Sequence, residues 1–278
     1  MSTFGYTVAG FGAGVDDVVA PYTAVPITIR GFPIGLWKYI DQSAPSHNIS
    51  FWVKIDSVKT PYANNVIFAM GEIGSFPNNT PRYEFTANGV GTGTTINSTT
   101  KSFSTYTLKI VYNRESGSNT DMTELTSTSG ALTSGTWHHV MLSWNGTTPK
   151  LYIDGSLNSH TANSGEWFND SSFTNPTSLG DTHGGKRSDS SGNFALDGCI
   201  ADVYFDENYY GNTNNFRDST TGKPIAAPSP SGNYIYIKAR RTGLSGINAI
   251  GWNNYGSDGG FTSGEVFTTD DCADSPSD

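Results

Sequence analysis

The sequence predicts an all-β protein in which two antiparallel sheets pack face to face. Several short segments alternate apolar and polar residues with the period of two that strands show. Turn signals separate these segments, since the 278 residues include 32 glycines and 13 prolines. No stretch of more than ten residues shows the 3.6-residue period of an amphipathic helix. Many short strands divided by turns are typical of a β-sandwich.

Composition indicates a folded, acidic protein with a mostly neutral polar surface. The chain has 15 phenylalanines, 14 tyrosines and 6 tryptophans, enough to fill a large core. Its net charge is −9, and it has no lysine and arginine cluster, which argues against nucleic acid and anionic membranes as partners. No apolar run approaches the ~20 residues of a membrane span. No secretory signal pattern opens the chain, so we expect synthesis in a cytoplasm without membrane insertion.

The clearest element is a hairpin within residues 134–157. Its first strand, residues 137–144, alternates between two faces. One face holds Trp137, His139, Met141 and Ser143, and the other His138, Val140, Leu142 and Trp144. Asn145-Gly146 supplies the turn, because this pair is a strong signal for a two-residue hairpin. Residues 150–154 form the second strand, which Asp154-Gly155 ends with another turn pair.

Other strands are predicted before and after this hairpin. Their positions are 49–55, 65–71, 82–87, 106–112, 177–180, 196–206 and 234–237. The strand at 49–55 is expected to be half-buried, with Ser50 and Lys54 on its polar face. In the strand at 196–206, alternation places Cys199, Ala201, Val203 and Phe205 on one face and Ile200, Asp202 and Tyr204 on the other.

The chain divides into three predicted parts. Residues 1–33 form an N-terminal arm that either docks onto a partner or is loose. Residues 34–208 form the sandwich, and residues 209–278 form a C-terminal extension with small strands and an acidic tail. Cys199 lies in a predicted core strand and Cys272 in the tail. We expect free thiols, because a disulfide framework uses more cysteines at closer spacing.

Four segments form a recognisable pattern. They are Trp137-His138-His139-Val140, Leu151-Tyr152-Ile153-Asp154-Gly155, Leu179-Gly180 and Leu196-Asp197-Gly198-Cys199-Ile200-Ala201-Asp202-Val203. Their order and spacing resemble the W-H-x-V, L-Y-x-D-G and G-x-I-x-D-V motifs of concanavalin A-like jelly-roll domains of the laminin-G and pentraxin type. The resemblance implies a two-sheet antiparallel jelly-roll sandwich. It also implies that eight residues are core scaffold: Trp52, Trp137, His139, Tyr152, Asp154, Gly155, Gly198 and Asp202.

The flanking segments resemble proteins of this fold that tailed bacteriophages encode. The residues concerned are Asn215-Phe216-Arg217-Asp218, Thr221-Gly222-Lys223-Pro224, Tyr234-Ile235-Tyr236, Gly259-Gly260-Phe261-Thr262 and Ser275-Pro276-Ser277-Asp278. The resemblance implies a non-enzymatic structural or decorating virion protein, as a capsid decoration, head fibre or tail component, assembled in the host's cytoplasm. Expected partners are other virion proteins, further copies of this chain and host-surface glycans. The linker at residues 226–230 departs from those proteins and leaves the subfamily open.

The long stretch at residues 156–193 contains the candidate binding residues. An aromatic face beside polar groups is what sugar binding requires, and one set supplies both: Trp167, Phe168, His183, Lys186, Arg187 and Asp189. The alternative is that Trp167 only fixes the loop to the sandwich. Three aspartates of this stretch, Asp170, Asp181 and Asp189, are candidate Ca²⁺ ligands. The alternative for these is a set of solvated loop carboxylates.

The sequence contains neither of the catalytic motifs considered for this kind of fold. Glucanases of this fold resemble one another in an E-x-D-x-x-E strand, whose carboxylates share one sheet face, and the chain has no such strand. No G-x-S-x-G elbow is present. His138 and His139 point to opposite faces of a strand and are interpreted as packing residues rather than metal ligands. We therefore predict a non-enzyme, with a free-standing lectin module or a glycan-degrading enzyme as the alternative functions.

Overall fold

A computed structural model describes residues 32–34, 46–59, 64–71, 82–97, 100–113, 122–146, 148–162, 177–179, 197–229, 234–241, 249–254, 263–267 and 276–277. These residues form antiparallel strands joined by turns, which confirms the all-β prediction. Within these ranges the chain has no helix of the length and apolarity needed to span a membrane.

The first sheet contains eight strands. They are β1 (Phe32–Ile34), β3 (Asn64–Gly71), β4 (Arg82–Gly89), β7 (Thr105–Asn113), β8 (Met122–Thr126), β9 (Leu132–Thr133), β13 (Thr161–Ala162) and β14 (Thr177–Leu179). The strand order is β1-β14-β3-β4-β7-β8-β13, and β9 pairs with β7. Strands distant in sequence therefore lie side by side, as in a jelly roll.

The second sheet contains ten strands. They are β2 (His47–Lys59), β5 (Thr94–Asn97), β6 (Thr100–Ser102), β10 (Trp137–Trp144), β11 (Pro149–Ile153), β12 (Ser156–Leu157), β15 (Asp197–Asp206), β16 (Tyr234–Arg241), β17 (Ala249–Asn254) and β18 (Ser263–Phe267). The strand order is β12-β11-β10-β2-β15-β16-β17-β18, and β6 joins β2 to β5. The last three strands come from the predicted C-terminal extension, so that part of the chain extends the sheet of the sandwich.

The main core lies between the inner faces of the two sheets. Phe51 of β2 meets Phe85 of β4 edge to face, with ring centres 5.4 Å apart. Other buried side chains on these strands and their neighbours in the two sheets are Ile49, Val53, Ile55, Ala87, Leu108, Ile110, Leu125, Val140 and Leu142. Aromatic and aliphatic burial on this scale is the main source of stability for such a domain.

A second core lies on the outer face of the second sheet. Its buried members are Met141, Tyr152, Tyr204, Phe216, Tyr234 and Tyr236. Residues 207–229, here called the covering segment, follow β15 and place Phe216 over this face, with the Phe216 ring 5.0 Å from that of Tyr204. On the same face of β2, Ser50 and Lys54 are buried, with 2% and 9% of their surfaces exposed. The prediction that β2 is half-buried is wrong, because both faces of β2 are covered.

A β-bulge changes the predicted faces of β15. Ala201 pairs with Trp52 and Tyr204 with Ser50, so β15 has one more residue than β2 over this interval. Asp202 lies at the bulge with φ 49°. Tyr204 therefore shares the outer face with Ala201, and the predicted alternation across residues 199–205 is wrong after the bulge. The structure buries Asp202, which is 7% exposed.

The two turns of the central hairpin differ from each other. Trp144 pairs with Pro149, so the first connection has four residues rather than the predicted Asn145-Gly146 pair. Ile153 pairs with Ser156, which leaves Asp154 and Gly155 as a two-residue turn. Their φ angles are 52° and 85°. Two successive positive φ angles are the requirement of a type I′ hairpin, for which Asp-Gly is a preferred pair.

Candidate functional site

The binding residues predicted from the sequence lie outside the described part of the chain. They are Trp167, Phe168, Asp170, Asp181, His183, Lys186, Arg187 and Asp189. Their roles in glycan and calcium binding stay predictions. Across the described ranges, no group of three or more His, Cys, Asp or Glu residues could hold a metal ion. The described titratable groups with perturbed pKa values concentrate at the covered outer face of the second sheet.

His138 joins the hairpin to its own turn. The backbone N–H of Thr133 donates to His138 Nε2 over 2.7 Å, so that nitrogen has no proton. The proton lies on Nδ1, which donates to Asp154 Oδ2 over 2.6 Å. His138 is therefore a neutral imidazole with both nitrogens engaged, which leaves none for a metal ion.

Asp154 holds the end of the hairpin through both carboxylate oxygens. Its Oδ1 accepts the backbone N–H of His139 over 2.9 Å, while Oδ2 accepts His138. Burial acts to raise the pKa of Asp154, but these hydrogen bonds and the positive charge of Arg217 outweigh burial and lower the pKa. The ionised carboxylate is thus the form that fits this turn.

His139 lies beneath the covering segment and is 0% exposed. Its ring lies between those of Trp52, 5.1 Å away, and Phe216, 6.4 Å away. Its Nε2 and Ser50 Oγ are 2.8 Å apart. Burial lowers the pKa of His139 from 6.5 to about 3, with Asp154 opposing the shift and Arg217 adding to it. The neutral imidazole is therefore a packing element of the second core.

We expect stability to fall as the pH falls below 6.5. The unfolded chain protonates His139 near pH 6.5, whereas the folded chain does so near pH 3, so acid favours the unfolded state in between. One proton corresponds to roughly 1.4 kcal/mol per pH unit. Urea unfolding of wild type, His139→Gln and the matched control His160→Gln between about pH 4 and pH 7 checks this slope. An equal slope in the His139 variant would contradict it.

Arg217 of the covering segment packs against two tight turns. A β-carbon added at Gly155 would lie 2.8 Å from Arg217 Nη1, and one added at Gly222 would lie 2.6 Å from Nη2. Both glycines have positive φ angles, 85° and 73°. The guanidinium therefore occupies space that only glycine leaves open, and its charge lowers the pKa of Asp154.

Asp206 organises the other end of the covered face. Its Oδ2 accepts hydrogen bonds from Tyr204 Oη at 3.0 Å, Tyr210 Oη at 2.6 Å and Asn208 Nδ2 at 2.8 Å. The side chain is 1% exposed. Burial raises the pKa of Asp206 although these donors act to lower it, and burial raises the pKa values of both tyrosines. Asp206 thus ties the start of the covering segment to β15.

The C-terminal residues contact the covering segment. Lys223 Nζ donates to the backbone oxygen of Ser277 over 2.7 Å, and the adjacent Pro276 is buried. Two segments that are distant in sequence are therefore in contact, namely Thr221-Gly222-Lys223-Pro224 and Ser275-Pro276-Ser277-Asp278.

The expectation of free thiols is wrong. Cys199 is disulfide-bonded, and none of the described cysteines is free. Cys272 is the other cysteine of the chain. Cys199 lies opposite Lys54 on the outer face of the second sheet. The spacing argument failed because one long-range bond needs no framework of closely spaced cysteines.

The covered face resembles a catalytic arrangement only in part. Ser50 and His139 form a hydroxyl–imidazole pair, as nucleophile and base do in a triad. Asp154 Oδ2 bonds to His138 instead, and His139 Nδ1 has no partner within the described structure. Ser50 is 2% exposed and His139 is 0% exposed. The pair therefore lacks the orienting carboxylate of a triad and a path for substrate.

Sequence reasoning missed the covering segment and the role of Asp206. The signal was the density of aromatic and asparagine residues directly after the last sandwich strand, Asn208-Tyr209-Tyr210 followed by Phe216. Aromatic residues at this density imply a second buried surface rather than a linker.

Comparison with known proteins adds a family match. Residues 41–205 match the concanavalin A-like lectin/glucanases superfamily. No curated protein matches the chain. Solved structures similar to it include the sialidase CBM40 of Ruminococcus gnavus bound to alpha2,3 sialyllactose, with 13% identity, TM-score 0.46 and coverage of 67% of this chain and 92% of that chain.

Two other solved structures are similar at comparable levels. A pentraxin of Limulus polyphemus has 14% identity, TM-score 0.40 and coverage of 68% of this chain and 78% of its own. Domains LG4-5 of the mouse laminin alpha1 chain have 15% identity, TM-score 0.37 and coverage of 74% and 49%. These values are too low for any inference about function, so the assignment depends on the family match. Because that match covers more than half of the sequence and the strands form the expected antiparallel sheets, the chain belongs to the concanavalin A-like lectin/glucanases superfamily.

Proposed function

We propose that this lectin-like sandwich recognises glycans and does not cleave them. The observation that supports recognition over cleavage is the burial of the outer face of the second sheet. A glycan-cleaving site needs two carboxyl groups on either side of an open substrate position. Here Asp206 is 1% exposed and bonded to three side chains, and the Ser50–His139 pair lies under Phe216.

The proposed binding surface lies within residues 156–193, a stretch that also contains the short strands β12, β13 and β14. Because the outer face of the second sheet is covered, this proposal places the ligand on the loops, where binding residues concentrate in β-scaffolds. Trp167 supplies the aromatic face and Arg187 the hydrogen-bond donors. In this proposal Asp170, Asp181 and Asp189 are available for a Ca²⁺ ion that would order the loop.

A glycan array tests this proposal. Wild type is expected to bind a defined subset of glycans, and Trp167→Ala and Arg187→Ala are expected to lose at least tenfold in affinity for that subset. The matched control is Lys101→Gln, which should bind as wild type does. Lys101 is a partly exposed lysine on β6 whose Nζ donates to the backbone oxygen of Thr92. A reducing-sugar assay on each bound polysaccharide should show no release. If reducing sugar is released, and a single carboxylate substitution abolishes that release, the proposal that the protein does not cleave glycans is contradicted.

We also propose that the chain is a structural or decorating component of a tailed-phage virion. The proposal comes from the resemblance of the flanking segments to phage proteins. Two of those segments contact each other through Lys223 and Ser277. The disulfide at Cys199 suits a virion surface, an oxidising setting in which such bonds persist. Partners would be other virion proteins and further copies of this chain. If the protein binds no glycan on the array but co-sediments with phage particles, this structural role is favoured. If the protein is absent from purified particles, the role is rejected.

A further inference from the structure

The chain contains two Asn-Gly pairs, and the fold places them in opposite environments. Asn145 and Gly146 are both exposed and belong to the connection between β10 and β11. Asn88 and Gly89 lie in β4 and are partly buried. The same dipeptide therefore occurs once in an open turn and once inside a sheet, so the effect of the fold on its chemistry is measurable within one molecule.

The backbone at Gly146 is accessible to the side chain that precedes it. Gly146 lies outside the strands, and its φ of 88° is in the left-handed region that glycine adopts readily. Since glycine has no side chain, nothing on this residue crowds an approach to its nitrogen. The Asn145 side chain and this nitrogen are neighbours in the same chain, so a reaction between them is intramolecular and has a high effective concentration.

A hydrogen bond turns the Asn145 side chain back over the residues that follow it. The Thr148 N–H donates to Asn145 Oδ1 over 3.3 Å. The side-chain carbonyl therefore lies on the side of the turn that contains the Gly146 nitrogen. A donor at this oxygen also stabilises the negative charge that develops there when a nucleophile adds to Asn145 Cγ.

The second pair is fixed because β4 is paired on both sides in the first sheet. Asn88 pairs with Asn64 of β3 and with Thr107 of β7. A β-carbon added at Gly89 would lie 2.4 Å from the Phe103 ring, so this ring covers the glycine closely. Cyclisation requires the backbone to rotate, and in a paired strand that rotation requires local opening of the sheet. The fold therefore protects Asn88.

We propose that Asn145 is a site of spontaneous deamidation, which the fold favours there and suppresses at Asn88. The Gly146 nitrogen bonds to Asn145 Cγ while the bond from Cγ to Nδ2 breaks. A base in the solvent carries the Gly146 proton to the departing amine, which leaves as ammonia. Water then adds to either carbonyl carbon of the succinimide and breaks its bond to the nitrogen, which regains a proton. The product is an ionised aspartate or isoaspartate.

The modification changes both the charge and the length of this connection. Each product adds one negative charge to a chain of net charge −9. Isoaspartate also lengthens the backbone between Trp144 and Pro149 by a methylene carbon. Trp144 is 8% exposed and stacks on His47, with ring centres 5.9 Å apart, so the change occurs directly beside a buried aromatic contact. The site is separate from residues 156–193, and the inference does not depend on glycan recognition.

Peptide mass spectrometry of the full chain tests the proposal. The protein is incubated for days at neutral pH, both folded, as circular dichroism verifies, and in concentrated urea. Exchange of ammonia for water raises the mass of a modified peptide by about 1 Da. In the folded protein Asn145 should react at least about tenfold faster than Asn88, because only Asn88 requires local opening. In urea the two rates should converge, since both pairs are then unstructured.

A variant and a change of pH complete the test. Asn145→Gln should remove the more acidic species that anion exchange separates from incubated wild type. The rate at Asn145 should rise from neutral to alkaline pH, because a base takes the Gly146 proton. Equal rates at Asn145 and Asn88 in the folded protein would overturn the proposal. It would also be overturned if Asn145 stayed intact in the folded protein throughout the incubation.

Discussion

Gly198→Ala is expected to lower the free energy of unfolding by about 3–5 kcal/mol. A β-carbon built at Gly198 would lie 2.0 Å from the backbone oxygen of Lys54 and 3.1 Å from the Cα of Ile55. Both atoms belong to the backbone of β2, which pairs on its other side with β10. Relief of the overlap therefore requires one of the central strands to move, and a loss of this size is a large part of a typical domain's stability.

The measurement is urea unfolding followed by tryptophan fluorescence, with Gly211→Ala as the matched control. A β-carbon at Gly211 would meet nothing within 4 Å, so this variant should change stability by less than about 0.5 kcal/mol. A Gly198 variant as stable as the control would show that β15 can shift against β2 at no cost. The glycine of the G-x-I-x-D-V motif would then need another explanation.

The longer strands of the sandwich were predictable where they have a local signal, whereas β5, β6, β8, β9, β17 and β18 were not predicted. Alternation identified β2 and β10, and the Asp154-Gly155 pair identified a turn whose two positive φ angles the structure displays. Of the residues that the motif pattern implied as core scaffold, Trp52, His139, Tyr152 and Asp202 are buried, whereas Trp137, Asp154 and Gly155 are only partly buried. Signals of this kind depend on residues a few positions apart, which the sequence displays directly.

The face assignments were harder to predict because they depend on contacts between distant segments. β2 was expected to have one solvated face, yet residues 207–229 cover it, some 160 positions later in the chain. The bulge at Asp202 shifts β15 by one residue, and a single-residue shift moves every later side chain to the other face. The disulfide at Cys199 is also a long-range contact.

The paired histidines show how one dipeptide takes two structural roles. His138 was grouped with His139 as packing, but His138 bonds Thr133 on one side and Asp154 on the other. His139 lies on the opposite face, between Trp52 and Phe216. Alternation along β10 predicted the separation of the two rings. It could not predict the partners, because those partners are set by a turn and by the covering segment.

Asp206→Ala is expected to lower the free energy of unfolding by about 3–5 kcal/mol, because it removes a buried acceptor shared by three donors, of which Tyr204 is itself buried. Tyr204 is 0% exposed, so its hydroxyl would have no water to replace the lost carboxylate. Asp206→Asn keeps an oxygen for some of the donors and should lose less. Urea unfolding measures these changes, with Asp218→Ala as the matched control, since Asp218 accepts two backbone N–H groups in an exposed turn. A loss no larger than in the control would show that the covering segment does not depend on Asp206.

The pH dependence of the same variants identifies the charge state of Asp206. Its pKa in the folded chain is raised above the ordinary 3.8, so the folded state holds the proton more tightly than the unfolded state does. The stability that this contributes is complete below pH 3.8 and is lost as the pH rises through the folded pKa. His139 has the opposite sign, so the comparison must be between wild type and Asp206→Asn at each pH. The advantage of wild type over Asp206→Asn should therefore shrink as the pH rises above 3.8. An advantage that grows over this range would mean that the hydrogen bonds from Tyr204, Tyr210 and Asn208 outweigh burial.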